Sequence, residues 1–184
     1  MNRIFLTLAS LSTLLLVAAF VLGMNIDDPA SATDASLASV RVHFLTAVGG
    51  LMFAALVHAI VLTYFMGTGR WIEETGHVYP LPARIHQESR GLKYRILPAM
   101  AGCLTLLIVT GALGAIADPA TRLGGQGWWG IPASTLHFSA AAFTLCVNVI
   151  VNYYQYAAIE YNGRLIEEVL QEVRRVRLEK GLPV

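Results

Sequence analysis

Charged residues are scarce in this chain of 184 residues. Lys, Arg, Asp and Glu make up 14% of the sequence, against 55% hydrophobic residues, whereas an ordinary soluble domain contains about 25% charged residues. Four apolar runs contain no charged residue: 4–24, 42–66, 96–117 and 136–158. Each is long enough to cross the roughly 30 Å hydrocarbon core of a bilayer as a helix. The composition therefore argues against a soluble domain and predicts an all-α integral membrane protein, a bundle of four transmembrane helices.

Other absences restrict the function. The sequence has no phosphate-binding loop and no recognisable pair of nucleophile and base, which argues against soluble catalysis. It has two cysteines, Cys103 and Cys146, each inside an apolar run and far from the other. We interpret both as packing residues with reduced thiols. The basic residues flank the apolar runs and alternate with acidic ones, so nucleic acid is not an expected partner.

The 13 basic residues are distributed unevenly along the chain. Eleven of them are Arg3 or lie in the segment 67–95 or after residue 158, whereas the other two loops contain only Arg41 and Arg122. Positively charged loops tend to remain in the cytoplasm. We therefore expect a multi-pass protein of a bacterial inner membrane, with both termini and the segment 67–95 on the cytoplasmic side.

The sequence contains an internal repeat at an offset of 94 residues. The segment 43–74 shares ten identities with 137–168, and both copies begin with His-Phe and end with Gly-Arg-x-Ile-Glu-Glu. Asp-Pro-Ala also follows both the first and the third apolar run. We interpret this pattern as two tandem copies of a helical hairpin. Because each copy crosses the membrane twice, the copies are parallel and related by an axis along the membrane normal.

The repeat predicts four regions: a first hairpin (1–74), a cytoplasmic linker (75–95), a second hairpin (96–168) and a tail (169–184). Because of its prolines, the linker is expected to be a folded loop, after a short helix that continues the second span. Apolar residues recur at helical spacing after the fourth span and predict an amphipathic cytoplasmic helix. This helix is expected to pack on the linker, on the membrane surface or on another subunit. That subunit can be a second copy of the chain.

Two histidines occupy matching places in the repeats. His43 and His137 each lie just inside the outer end of an apolar run. Polar residues inside a membrane are costly and usually face the bundle interior, where they are candidates for function. Ala47, Gly50 and Ala54 follow His43 on the same helix face. We predict that the two imidazoles face each other above a shallow groove of small residues.

This placement of histidines on two helices resembles that of the b-type membrane cytochromes. The resemblance covers the second and fourth apolar runs only. It implies that His43 and His137 ligate one non-covalent haem b, which carries single electrons, and Arg41 is positioned to pair with a haem propionate. Covalent attachment is excluded because Cys-x-x-Cys-His is absent. The expected partners are the quinone pool and a redox protein. Copper, another metal or no cofactor at all are the alternatives.

A further histidine, His58, lies where such cytochromes often carry a ligand for a second haem. The matching residue in the other repeat is Asn152, so we predict a hydrogen bond between these two side chains. A ligand or proton-relay role for His58 is the alternative. Asn148, Gln155 and the neighbouring tyrosines are candidates for a quinone pocket or a proton path. The tyrosines are equally consistent with an aromatic belt.

Three further interpretations concern a di-iron site, a scaffold and transport. Glu74-x-x-His77 has the spacing of a di-iron helix, and His86 is a candidate neighbour, but the other repeat lacks this histidine. A membrane scaffold without a cofactor, or an accessory subunit of a larger membrane complex, is the principal alternative to electron transfer. Transport is disfavoured because no apolar run contains a charged residue.

Overall fold

The structure, a computed structural model, consists of four long α-helices. It describes residues 1–26, 31, 33–121 and 127–183. The helices are α1 (Asn2–Met24), α2 (Asp34–Val78), α3 (Ala83–Ala117) and α4 (Ala133–Glu179). Within the described ranges there is no β-strand, and Trp128 and Ile131 form an isolated bridge. The all-α prediction is therefore confirmed.

Each helix contains a segment that is long and apolar enough to cross a membrane, as the sequence predicted. Many large apolar side chains lie exposed on the outside of the bundle, among them Leu14, Ile108 and Phe143. Such surfaces are typical of contact with lipid or with another protein. α2 and α4 contain 45 and 47 residues, which corresponds to about 70 Å of helix. Both helices therefore continue well beyond their apolar segments.

Consecutive helices pack as hairpins, α1 against α2 and α3 against α4. The hairpins join through contacts of α2 with α3 and of α1 with α4, which closes a four-helix bundle. α2 and α4 also meet across the diagonal, whereas α1 and α3 do not touch in the part of the chain that is described. The facing sides of α2 and α4 therefore lie along the bundle axis.

The buried positions of the two hairpins correspond. Every buried residue of α1 has a buried counterpart 91 positions later in α3. The pairs are Phe5 and Ile96, Ala9 and Met100, Ser12 and Cys103, Leu16 and Leu107, and Ala19 and Thr110.

Two pairs of counterparts at the 94-residue offset lie side by side between α2 and α4. The ring centroids of His43 and His137 are 6.2 Å apart. Nδ2 of Asn162 donates a hydrogen bond to Oγ1 of Thr68 at 3.0 Å. If two copies of a unit are related by a twofold axis, only residues beside that axis can touch their own counterparts. One pair lies near each end of the diagonal contact.

The segment 75–95, expected to be mainly a loop, is almost entirely helical. α2 continues to Val78 and α3 begins at Ala83, so that only residues 79–82 form the turn. Pro80 and Pro82 explain its position, because proline lacks an N–H group and disfavours the helical conformation in the preceding residue. The polar sequence 83–95 concealed this helix, since a helix outside the membrane needs only one apolar face.

The tail is also not a separate element, because α4 runs without interruption to Glu179. At the end of the bundle that contains the 79–82 turn, here called the basic end, α4 packs on the extensions of α2 and α3. Ile72, Ile85 and Val169 form a small core there, and each is at most 2% exposed. The tail therefore covers the region between the hairpins, one of the three surfaces considered for it.

A charged network links α3 to α4 at the basic end. Arg84 binds Glu88 of its own helix at 3.0 Å and Glu168 of α4 at 2.6 Å. Tyr161 donates a hydrogen bond to Oε2 of Glu88 at 2.6 Å. This hydrogen bond, followed by that from Arg84, lowers the pKa of Glu88, because both stabilise the carboxylate. The network is open to solvent, so its contribution to stability is small and sensitive to salt.

Replacing Tyr161 by Phe removes the largest cause of the low pKa of Glu88. A carboxyl group whose pKa is lowered by folding stabilises the fold above its unfolded pKa, and this contribution disappears as the pH falls through the folded pKa. We expect the Tyr161→Phe protein to have a lower thermal midpoint than the wild type above the unfolded pKa of Glu88, and we expect this difference to narrow as the pH falls through the folded pKa. Tyr153→Phe, at a residue 73% exposed, is the control. Identical profiles for wild type and Tyr161→Phe would contradict this assignment.

Candidate functional site

The two histidines that the repeat singled out lie close together across the bundle axis. The rings of His43 and His137 have centroids 6.2 Å apart and planes inclined at 73°. Both side chains are half-buried, near the ends of α1 and α3 that face away from the basic end. The predicted proximity of these residues is therefore observed.

Each histidine packs on a glycine of its own hairpin. A Cβ atom added at Gly23 of α1 would lie 2.9 Å from Cε1 of His43, and one at Gly114 of α3 would lie 3.0 Å from Cε1 of His137. Both distances are shorter than ordinary van der Waals contact. Glycine is therefore required at both positions if the imidazoles are to keep their places.

The backbone also determines how His43 presents its nitrogens. Nδ1 of His43 lies 2.9 Å from the carbonyl oxygen of Ala19, so Nδ1 carries the proton and Nε2 has a free lone pair. The backbone of Thr110, the counterpart of Ala19, approaches the ring of His137. Nδ1 of His137 is nevertheless buried without a full hydrogen bond. A carbonyl bound at Nδ1 is a common way to orient a metal-ligating histidine.

The separation of the rings suits two ligands of one metal ion. With a metal–nitrogen distance of about 2 Å on each side, two opposed imidazoles have centroids about 6 Å apart. No group of three or more His, Cys, Asp or Glu side chains able to hold a metal ion occurs in the described residues. The histidine pair can therefore supply two donors, and a group bound there needs further donors of its own.

The expected groove below His43 is not open. A Cβ atom at Gly50 would lie 3.3 Å from Leu16 of α1, and Ala54 is 1% exposed in a cluster with Leu16 and Leu107. These small residues therefore allow α1 to pack closely against α2. Arg41 is exposed on the same helix, about half a turn before His43.

The predicted hydrogen bond between His58 and Asn152 is wrong. Nε2 of His58 lies 3.1 Å from Oδ1 of Asn148, and Nε2 of Gln155 lies 2.8 Å from Nδ1 of His58. Asn148 and Gln155 are one turn to either side of Asn152 on α4, so His58 fits between them. Oδ1 of Asn152 is buried and has no hydrogen-bonding partner among the residues that the structure describes.

The remaining candidates lie apart from the histidine pair. Tyr153 and Tyr154 are 73% and 61% exposed, so they face away from Asn148 and do not line a pocket with it. Glu74 pairs with Arg70 at 2.8 Å.

His86 packs against Gly76, where an added Cβ atom would collide with its ring. His77 is exposed. Within the described part of the chain, no metal-binding group forms around these two histidines.

Sequence reasoning missed Gly23 and Gly114, which support the two imidazoles. A signal was present in the sequence. Both the first and the third apolar run contain Leu-Gly near their ends, a few residues before Asp-Pro-Ala. Sequence reasoning also missed the hydrogen bond between Thr110 and Thr144 at 2.7 Å. That contact depends on which faces of α3 and α4 meet.

Comparison of the chain with protein-family models, with curated proteins and with solved structures gave no match.

Gly114→Ala tests the support of His137. The new methyl group forces the imidazole to move, so we expect the substitution to destabilise the protein by about 1–3 kcal/mol, as overpacking generally does. Gly102→Ala in the same helix is the matched control, because its Cβ atom would meet nothing within 4 Å. The measurements are the thermal midpoint and the NMR shifts of the His137 ring. Equal midpoints and unchanged ring shifts in the Gly114→Ala protein would contradict the packing described.

Proposed function

We propose that the chain is a membrane protein built from two tandem parallel hairpins, 1–74 and 96–168, with both termini on the cytoplasmic side of a bacterial inner membrane. The matching buried positions of α1 and α3 support the duplication. The contacts of His43 with His137 and of Thr68 with Asn162 support an axis between α2 and α4. The concentration of basic residues at one end supports the orientation.

We further propose that His43 and His137 hold one non-covalent haem b. The observation that carries this proposal is the 6.2 Å separation of the two rings. A porphyrin brings four nitrogen donors of its own, so His43 and His137 would supply the two that remain. A divalent ion such as zinc generally takes four ligands. Because Leu16 fills the space at Gly50, the group would depend on the two imidazoles and not on the groove, and Arg41 would be available to a propionate.

The chain's own residues would orient and insulate the bound group. The carbonyl of Ala19 fixes the tautomer of His43 and leaves its Nε2 free to ligate. Gly23 and Gly114 set the positions of the rings. The apolar side chains around the pair would influence the reduction potential of any redox group. When bound, haem supplies reversible one-electron chemistry. The role would be electron transfer between the quinone pool and a partner redox protein.

Purified protein tests the haem proposal directly. Protein produced in cells supplied with a haem precursor is expected to show a Soret band, and His43→Ala or His137→Ala should abolish most of it. His77→Ala is the control, since His77 is exposed at the basic end, and it should keep the full band. A colourless wild-type protein that also fails to bind added haem would contradict the proposal.

The principal alternative is a scaffold or accessory subunit that contains no cofactor. The exposed apolar side chains Leu170 and Leu178 on the extension of α4 favour it, because this extension lies beyond the apolar segment and a partner would cover them. A wild-type protein that binds no haem, but copurifies with a larger membrane complex unless both leucines are replaced by Ser, would support this alternative.

A further inference from the structure

A belt of polar side chains crosses the bundle below the histidine pair. His58, Asn148 and Gln155 are each at most 1% exposed, and His58 is hydrogen-bonded to both amides. Cys103 of α3 donates to Oδ1 of Asn148 at 3.6 Å. Ser12, the α1 counterpart of Cys103, is also 1% exposed. All four helices therefore contribute a polar group to the middle of the bundle.

Four buried atoms of this belt have no hydrogen-bonding partner within the described residues. They are Oγ of Ser12, Nδ2 of Asn148, Oδ1 of Asn152 and Oε1 of Gln155. Buried polar atoms without partners are rare in proteins and usually indicate a bound water or ion. The set comprises one donor, two acceptors and one hydroxyl group that can act as either.

The relation between the hairpins explains why these atoms collect here. Asn148 and Gln155 correspond to Ala54 and Val61 at the 94-residue offset. His58 lies between the two amides, so the same relation places its counterpart Asn152 against Ala54 and Val61. These apolar side chains cannot form hydrogen bonds, and they fill less space than the two amides. Within the described residues, Oγ of Ser12 and Oδ1 of Asn152 therefore have no hydrogen-bonding partner.

The packing of α1 also places Ser12 at the level of the belt. One turn before it, Ala9 packs in a cluster with Val57 and Val61, and one turn after it, Leu16 packs with Ala54. The same clusters place apolar side chains on both sides of the belt along the bundle axis.

We infer that the polar belt binds water inside the bundle, at a site that does not depend on the proposed haem. Water accepts a hydrogen bond from Nδ2 of Asn148 and donates hydrogen bonds to the carbonyl oxygens of Asn152 and Gln155, so it can serve both kinds of unpartnered atom. The hydroxyl group of Ser12 can join the same network. The belt is thus a hydration site between two apolar clusters.

Nuclear Overhauser effects between water and side-chain amides test this inference in protein reconstituted into lipid nanodiscs. The amide protons of Asn148 are expected to show a cross-peak to water, of the sign that a long-lived bound molecule gives. Asn162 is the control, since it is 1% exposed and its amide donates to Thr68, and it should show none. Absence of the Asn148 cross-peak would overturn the inference, whether or not the protein binds haem.

Asn152→Leu is a second test, because the direction in which it changes the thermal midpoint depends on whether water binds there. If water binds Oδ1 of Asn152, the substitution removes a hydrogen bond and lowers the thermal midpoint. If that oxygen is dry, the substitution removes an uncompensated buried atom and raises the midpoint, which would overturn the inference. Asn162→Leu breaks an existing hydrogen bond to Thr68, so it should lower the midpoint and indicates the size of effect to expect.

Discussion

The contact between α2 and α4 across the diagonal of the bundle determines most of what the molecule can do. It brings His43 within 6.2 Å of His137 and Thr68 within hydrogen-bonding distance of Asn162. Since α1 and α3 lie outside this contact, their buried residues support it from behind. A change in the register of α2 against α4 would therefore separate both pairs at once. The histidine site and the buried polar belt are consequences of the same alignment.

The two hairpins have corresponding buried positions but differ in the middle of the bundle. In one half Cys103, Asn148 and Gln155 surround His58 with polar partners. In the other half Ala54 and Val61 replace the two amides. Within the described residues, unpaired polar atoms lie in the middle of the bundle, whereas His43 and His137 match at the end away from the basic end. The two hairpins are thus nearly symmetric at the histidine pair and asymmetric at the polar belt.

Much of the fold was predictable because a membrane span has a strong sequence signal. Four apolar runs predicted four helices, and the 94-residue repeat predicted that His43 and His137 would meet. The rotation of each helix about its own axis was harder to predict from the sequence. The sequence suggested that Gly50 left room for a ligand, whereas it admits Leu16, and that His58 would reach Asn152, whereas it binds residues one turn to either side. The segment 83–95 appeared to be a loop because its helix has only one apolar face.

The most direct measurement is the distance between the two imidazoles in a bilayer. Solid-state NMR of protein labelled with ¹³C-histidine, in which His58, His77 and His86 have been replaced, leaves only His43 and His137 to observe. We expect a cross-peak between their ring carbons that disappears when either histidine is replaced. If the two rings are resolved but no cross-peak connects them, the histidines do not meet, and the shared site described here does not exist.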